Sequence, residues 1–120
     1  MKIIVVDDDV IMLQAIKNML VKNGYKVFAT TDAQDALDTI MEENFDLIIS
    51  DIMMPYISGI ELLSAMKRIN NKLPIIIISA LDQNEVILTA FQEGAADFVK
   101  KPINLNELLL RVKKVLPNPA

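Results

Sequence analysis

Five short apolar runs punctuate the chain, and after each of them apolar residues recur every three to four positions. The runs fall at residues 3–6, 25–29, 45–50, 75–78 and 97–99 and are rich in residues that favour strands. The fourth begins with four consecutive isoleucines, a pattern that belongs to a strand covered on both faces, as in a parallel sheet. The intervening stretches have helical spacing. In the first, Leu13, Ile16 and Leu20 share one side, while Ile11, Ala15, Asn18 and Lys22 share the other. Ala36, Leu37, Ile40 and Met41 are expected to point inward from the second, and Ile60, Leu63 and Met66 from a third that Gly59 opens. Leu105, Leu108, Leu109, Val112 and Leu116 line the last. Capping residues mark the boundaries: Thr30-Thr31-Asp32 and the pairs Asp82 with Glu85 and Asn104 with Glu107 at helix starts, Asn23-Gly24 and Gly94 at helix ends. Five strands alternating with five helices predict an α/β domain, a doubly wound three-layer αβα sandwich around a five-stranded parallel sheet. Residues 1–116 are read as that domain, and 117–120, Pro-Asn-Pro-Ala, as a tail or the start of a linker.

Composition narrows the chemistry. With 120 residues, 52% of them apolar, the chain can bury one core. The net charge of −4, with lysines and arginines scattered rather than massed, argues against direct contact with nucleic acid. Cysteine and histidine are both absent, which removes disulfides, thiolate chemistry and the usual general base. No apolar run has the length of a membrane span or signal peptide, so a cytoplasmic protein is the default expectation. Any chemistry must come from carboxylates, lysines, hydroxyls and backbone groups.

Four of the five expected strands end in such groups: Asp7 and Asp8, Asp51, Ser79 and Lys101. A parallel sheet brings its carboxyl ends to one edge, where ligands of open α/β folds bind, so these residues should converge despite their separation in sequence. Carboxylates that close repel one another unless a cation lies between them. An all-oxygen donor set favours a hard divalent ion such as Mg²⁺. A lysine and a hydroxyl opposite suit the oxygens of a phosphoryl group. The combination is what a carboxylate nucleophile accepting a phosphoryl group needs.

The order Val5-Val6-Asp7-Asp8-Asp9, Ser50-Asp51-Ile52-Met53-Met54-Pro55, Ser79-Ala80, Gly94-Ala95 and Lys101-Pro102 resembles the response-regulator receiver domain of two-component signalling. The resemblance runs from Lys2 to about Leu116. It implies a flavodoxin-like fold with strand order 2-1-3-4-5. By the same likeness Asp51 is the phosphoacceptor, supplied by a phosphohistidine on a sensor histidine kinase or histidine phosphotransfer protein. Mg²⁺ is expected on Asp8, Asp51 and the backbone carbonyl of Met53, with Asp7 acting through water. Ser79 is expected to close on the phosphoryl group, Lys101 to pair with it through a cis Lys-Pro segment, and Phe98 to be the aromatic rotamer switch. An output domain or effector protein would read that switch, and such a domain catalyses only its own phosphorylation and dephosphorylation.

Further expectations follow from the likeness. Met53 and Leu81 stand where side chains flank the attacking water, and both are bulky and apolar, which predicts slow loss of the phosphoryl group. The outer stripe Ile11, Ala15, Asn18 and Lys22 is the expected docking face for the phosphohistidine bundle. Glu93, Asp97, Glu107, Arg111 and Phe91 partly match a face used for homodimerisation on phosphorylation, through the fourth helix, fifth strand and fifth helix, although Ile87 replaces an expected basic partner. Ser58 departs from the aspartate frequent in the family. Competing readings are a Mg²⁺-dependent carboxylate-cluster phosphatase or nuclease, and a pseudo-receiver that only binds partners. A flavodoxin is disfavoured, because three aspartates after the first strand would repel its phosphate.

Overall fold

The computed structural model describes residues 1–54, 57–80 and 84–117, with their side chains except those of 53–54, 57–59 and 84–87. Strands β1 (Lys2–Val6), β2 (Lys26–Thr30) and β3 (Leu47–Asp51) alternate with helices α1 (Val10–Lys22) and α2 (Ala33–Glu42). A two-residue ladder of β4 (Met53–Met54) and β5 (Ile57–Ser58) follows, then α3 (Gly59–Ile69), β6 (Ile75–Ser79), α4 (Asn84–Gln92), β7 (Asp97–Lys100) and α5 (Leu105–Val115). The main sheet is parallel, ordered β2-β1-β3-β6-β7, which is 2-1-3-4-5 when its five strands are counted in chain order. The antiparallel β4–β5 ladder stands outside the run pattern of the sequence, which predicts only a loop around Pro55.

Each face of the sheet carries its own core. Ile3, Val5, Leu47, Ile49, Ile76 and Ile78 pack under Leu13, Ile16 and Leu20 of α1 and Leu108 and Val112 of α5. Ile4, Val6, Ile48, Ile75 and Ile77 pack under Ala36 and Ile40 of α2, Leu62, Leu63 and Met66 of α3 and Ala90 of α4. Adjacent strand residues alternate between the two cores because strand side chains have a period of two. That is why the central runs carry no polar alternation.

Asp9 caps α1 by accepting from the Ile11 and Met12 N–H groups, Asp32 caps α2, and Asn104 caps α5 by accepting from Glu107 N–H. Glu107 itself turns to Arg111, 3.3 Å away. The chain leaves α1 and α4 through Gly24 and Gly94, whose φ values of 94° and 102° suit glycine. The Tyr25 and Ala95 N–H groups then close back on Leu20 and Ala90, as in a Schellman ending. Asp82 lies outside the described residues, as does the Glu85 side chain.

One inward assignment is wrong. Met41 is 63% exposed, and Thr39 takes the buried place beside Ala36 and Ile40. Thr39 Oγ1 donates to the Asp35 carbonyl of its own helix at 2.8 Å, so its burial leaves no hydroxyl unpaired.

Candidate functional site

Parallel pairing aligns the ends of β1, β3 and β6, and the residues that terminate them meet at one edge. Val6 lies opposite Ser50, Asp51 opposite Ile78 and Ser79 opposite Lys100. The strands supply rigid backbone: the Asp7 N–H donates to the Thr30 carbonyl, and the Ile52 N–H to that of Ile78. Asp7, Asp51 and Ser79 are buried, whereas Asp8 is exposed at the rim. One carboxylate oxygen from each of Asp7, Asp8 and Asp51 lies within 4.8 Å of the other two.

Lys101 enters this cluster directly after β7. Its N–H donates to the Ser79 carbonyl at 2.7 Å, and the bond from Lys101 to Pro102 is cis, as the resemblance leads one to expect. Lys101 Nζ sits 2.8 Å from Asp51 Oδ2 and 3.2 Å from Asp7 Oδ2. Burial alone would lower the Lys101 pKa, but its hydrogen bond and attraction to Asp51, and then to Asp7, raise it above the ordinary lysine value. Asp7 is held above the usual carboxylate range, chiefly by burial and in smaller part by Asp51. The Asp9 N–H, 2.9 Å from Asp7 Oδ1, and Lys101 offset that only in part.

Among the described residues three carboxylates face one ammonium, a formal excess of two negative charges. Lys101 comes close to Asp7 Oδ2 without the alignment of a hydrogen bond, so this buried oxygen accepts none among the described residues. An acceptor without a donor, in an all-oxygen set, fits a hard divalent cation. Among the described residues, Asp7, Asp8 and Asp51 are the side chains able to hold it.

The other expected residues fall as follows. Met53 opens β4, two positions beyond Asp51, placing its backbone next to the cluster in sequence. Leu81 and the Met53 side chain, on which the slow-loss expectation depends, lie outside the described residues, as do the side chains of Ser58 and Ile87. Phe98 is half-buried in β7 and packs against the core beneath α2, α3 and α4. On α1, Ile11 is 83% exposed, Asn18 and Lys22 are exposed and Ala15 is half-buried. Phe91 is partly exposed, Glu93 accepts from Ser64 Oγ at 3.1 Å, and Asp97, Glu107 and Arg111 pair within the chain. Sequence reasoning missed that Lys101 bridges Asp51 and Asp7 directly. The available signal was the placement of one base and two acids at the same sheet edge.

Comparison with known proteins agrees with this geometry. The family model described as response regulator receiver domain matches residues 3–113. Chemotaxis protein CheY of Bacillus subtilis is 37% identical over 116 residues, covering 96% of this chain and 97% of that protein. Transcriptional regulatory protein CrdR of Helicobacter pylori is 35% identical over 117 residues, covering 94% of this chain but 54% of the relative. The chain thus spans about half the length of CrdR and of other relatives such as the response regulator MprA of Mycolicibacterium vanbaalenii, of which it covers 50%. Among solved structures, the Francisella response regulator 1452 receiver domain superposes with a TM-score of 0.89 at 37% identity, covering 97% of this chain and 96% of that one. A CheY-like receiver domain protein from Methanospirillum hungatei gives 0.92 at 30% identity, covering 97% and 93%.

Proposed function

This chain belongs to the response regulator receiver family of two-component signalling, and from that membership we propose that Asp51 accepts a phosphoryl group from a phosphohistidine in a Mg²⁺-dependent reaction. The observation that carries the reading is Lys101 Nζ, 2.8 Å from Asp51 Oδ2 inside the three-carboxylate cluster. A carboxylate oxygen of Asp51 attacks phosphorus, the P–N bond to the donor imidazole breaks, and the imidazole nitrogen keeps the electron pair. The Lys101 ammonium, kept cationic by its acidic neighbours, then faces the oxygens of the transferred group. Ser79, at the end of the adjacent strand, supplies a hydroxyl to the same oxygens. Mg²⁺ held by Asp8, Asp51 and the Met53 carbonyl, with Asp7 acting through water, would neutralise the excess negative charge of the site and the transferred group.

The domain catalyses only its own phosphorylation and dephosphorylation. Ser79 and Phe98 transmit the new charge as a shift between two conformations, which an output domain, an effector protein or a second phosphorylated copy reads. The sensor kinase or phosphotransfer protein docks on the exposed α1 stripe around Ile11. No helix among the described residues is long and apolar enough to cross a membrane. The ground for proposing a cytoplasmic location is membership in a two-component receiver family.

Intact mass after incubation with acetyl phosphate and Mg²⁺ tests the chemistry. One added phosphoryl group is expected on the wild type, and none on Asp51→Asn or in excess EDTA. Equal addition to Asp51→Asn would overturn the assignment.

A further inference from the structure

Arg111 reaches from α5 to the first residue of β7. Its Nη1 donates to both carboxylate oxygens of Asp97 at 2.8 Å. Its Nε and Nη2 lie 3.4 and 3.3 Å from Glu107 Oε1, which holds the guanidinium on its own helix. Asp97 Oδ1 also accepts the Phe98 N–H at 2.8 Å. One carboxylate therefore joins α5 to the backbone amide of the aromatic residue that packs on the opposite face of the sheet.

The position of this link gives it leverage. Strand β7 is four residues long and lies at the sheet edge, paired among the described residues only with β6. By strand alternation Asp97 falls on the same face as Val99, which packs in the α1 and α5 core, while Phe98 packs in the other. A short edge strand has a ladder on one side only, so side-chain attachments on its other side weigh more in where it sits. The Arg111 and Asp97 side chains are 38% and 17% exposed, so the pair is only partly screened by solvent.

We propose that Arg111 is a positioning residue for Phe98: through Asp97 it holds the start of β7 against α5 and favours the half-buried Phe98 conformation described here. The proposal rests on Phe98 being a two-state switch. Where movement of Phe98 shifts the β7 backbone, it loosens the clamp or carries α5 with it, and this couples the sheet edge to the α5 surface. An ordinary surface ion pair would change stability alone.

The test is ¹⁹F NMR of the full chain labelled with 4-fluorophenylalanine, the Phe98 resonance being assigned from Phe98→Leu. In the wild type, beryllofluoride with Mg²⁺ is expected to shift that resonance. Arg111→Ala and Asp97→Asn should each move the ratio of Phe98 environments about threefold away from the unliganded wild-type position, the size expected for a partly exposed ion pair. Arg111→Lys should recover part of the change. An unchanged ratio in both Arg111→Ala and Asp97→Asn, with a responsive wild type, overturns the clamp and leaves the switch standing. A wild-type Phe98 signal indifferent to beryllofluoride overturns both.

Discussion

The middle of the central strands and their carboxyl ends are both buried, yet they obey opposite rules. Ile4, Ile48 and Ile76 are fully covered by apolar neighbours, and their burial stabilises the fold at every site. A few residues further along, Asp7 and Asp51 are nearly as buried but carry charge. There the ordinary preference for keeping carboxylates in water is violated twice within one cluster. The sheet is covered by apolar side chains along its length and electrostatically unsatisfied at its carboxyl end, where burial of charge gives up stability.

Substitutions at the two places should therefore differ in sign as well as size. Ile48→Ala, in the middle, should destabilise the protein by about 3–4 kcal/mol in urea denaturation, through lost burial and the cavity left behind, with or without Mg²⁺. Lys101→Met, at the edge, should cost about 3 kcal/mol in metal-free buffer, because it leaves two buried carboxylates without their shared cation. A cost independent of added Mg²⁺ would show that charge is not the cause. Asp7→Asn should act in the opposite direction. Lys101 keeps Asp51 as partner, one desolvated charge disappears, and metal-free stability should rise by about 1 kcal/mol. If Asp7→Asn instead destabilises by as much as Ile48→Ala, the contrast between the two regions fails.

The same contrast explains what could be read from sequence. Apolar runs identify buried strands because parallel pairing covers both faces, and the runs at 75–78 and 3–6 coincide with β6 and β1 to within a residue. Strand starts were less legible, since they depend on ladder partners and not on apolarity. Lys2 begins β1 by pairing with Lys26, while the buried Phe45 precedes β3 and lies under the Lys2 ammonium, 4.9 Å from its ring centre. Helical spacing allows two adjacent stripes in α2, and Met41 falls on the exposed one. The choice fell to Thr39, a polar residue whose hydroxyl the helix itself satisfies. The β4–β5 ladder is too short to leave a periodic signal.

At the site, convergence of Asp7, Asp8, Asp51, Ser79 and Lys101 was legible from topology alone. The difference between buried Asp7 and exposed Asp8 was not, because it depends on how the chain turns after β1 into the Asp9 cap. The bridge from Lys101 to both acids likewise needs the geometry that follows β7.

The most direct measurement is the denaturation midpoint of the wild type and of Asp8→Asn across a Mg²⁺ titration at constant ionic strength. An unsatisfied carboxylate edge that binds the ion predicts a wild-type stability that climbs with the logarithm of Mg²⁺ concentration above the dissociation constant, and a response in Asp8→Asn that is weakened or displaced to higher concentration. A wild-type midpoint that stays flat through millimolar Mg²⁺ would contradict the account, because the excess charge at the sheet edge would then be tolerated without the cation on which the proposed phosphoryl transfer depends.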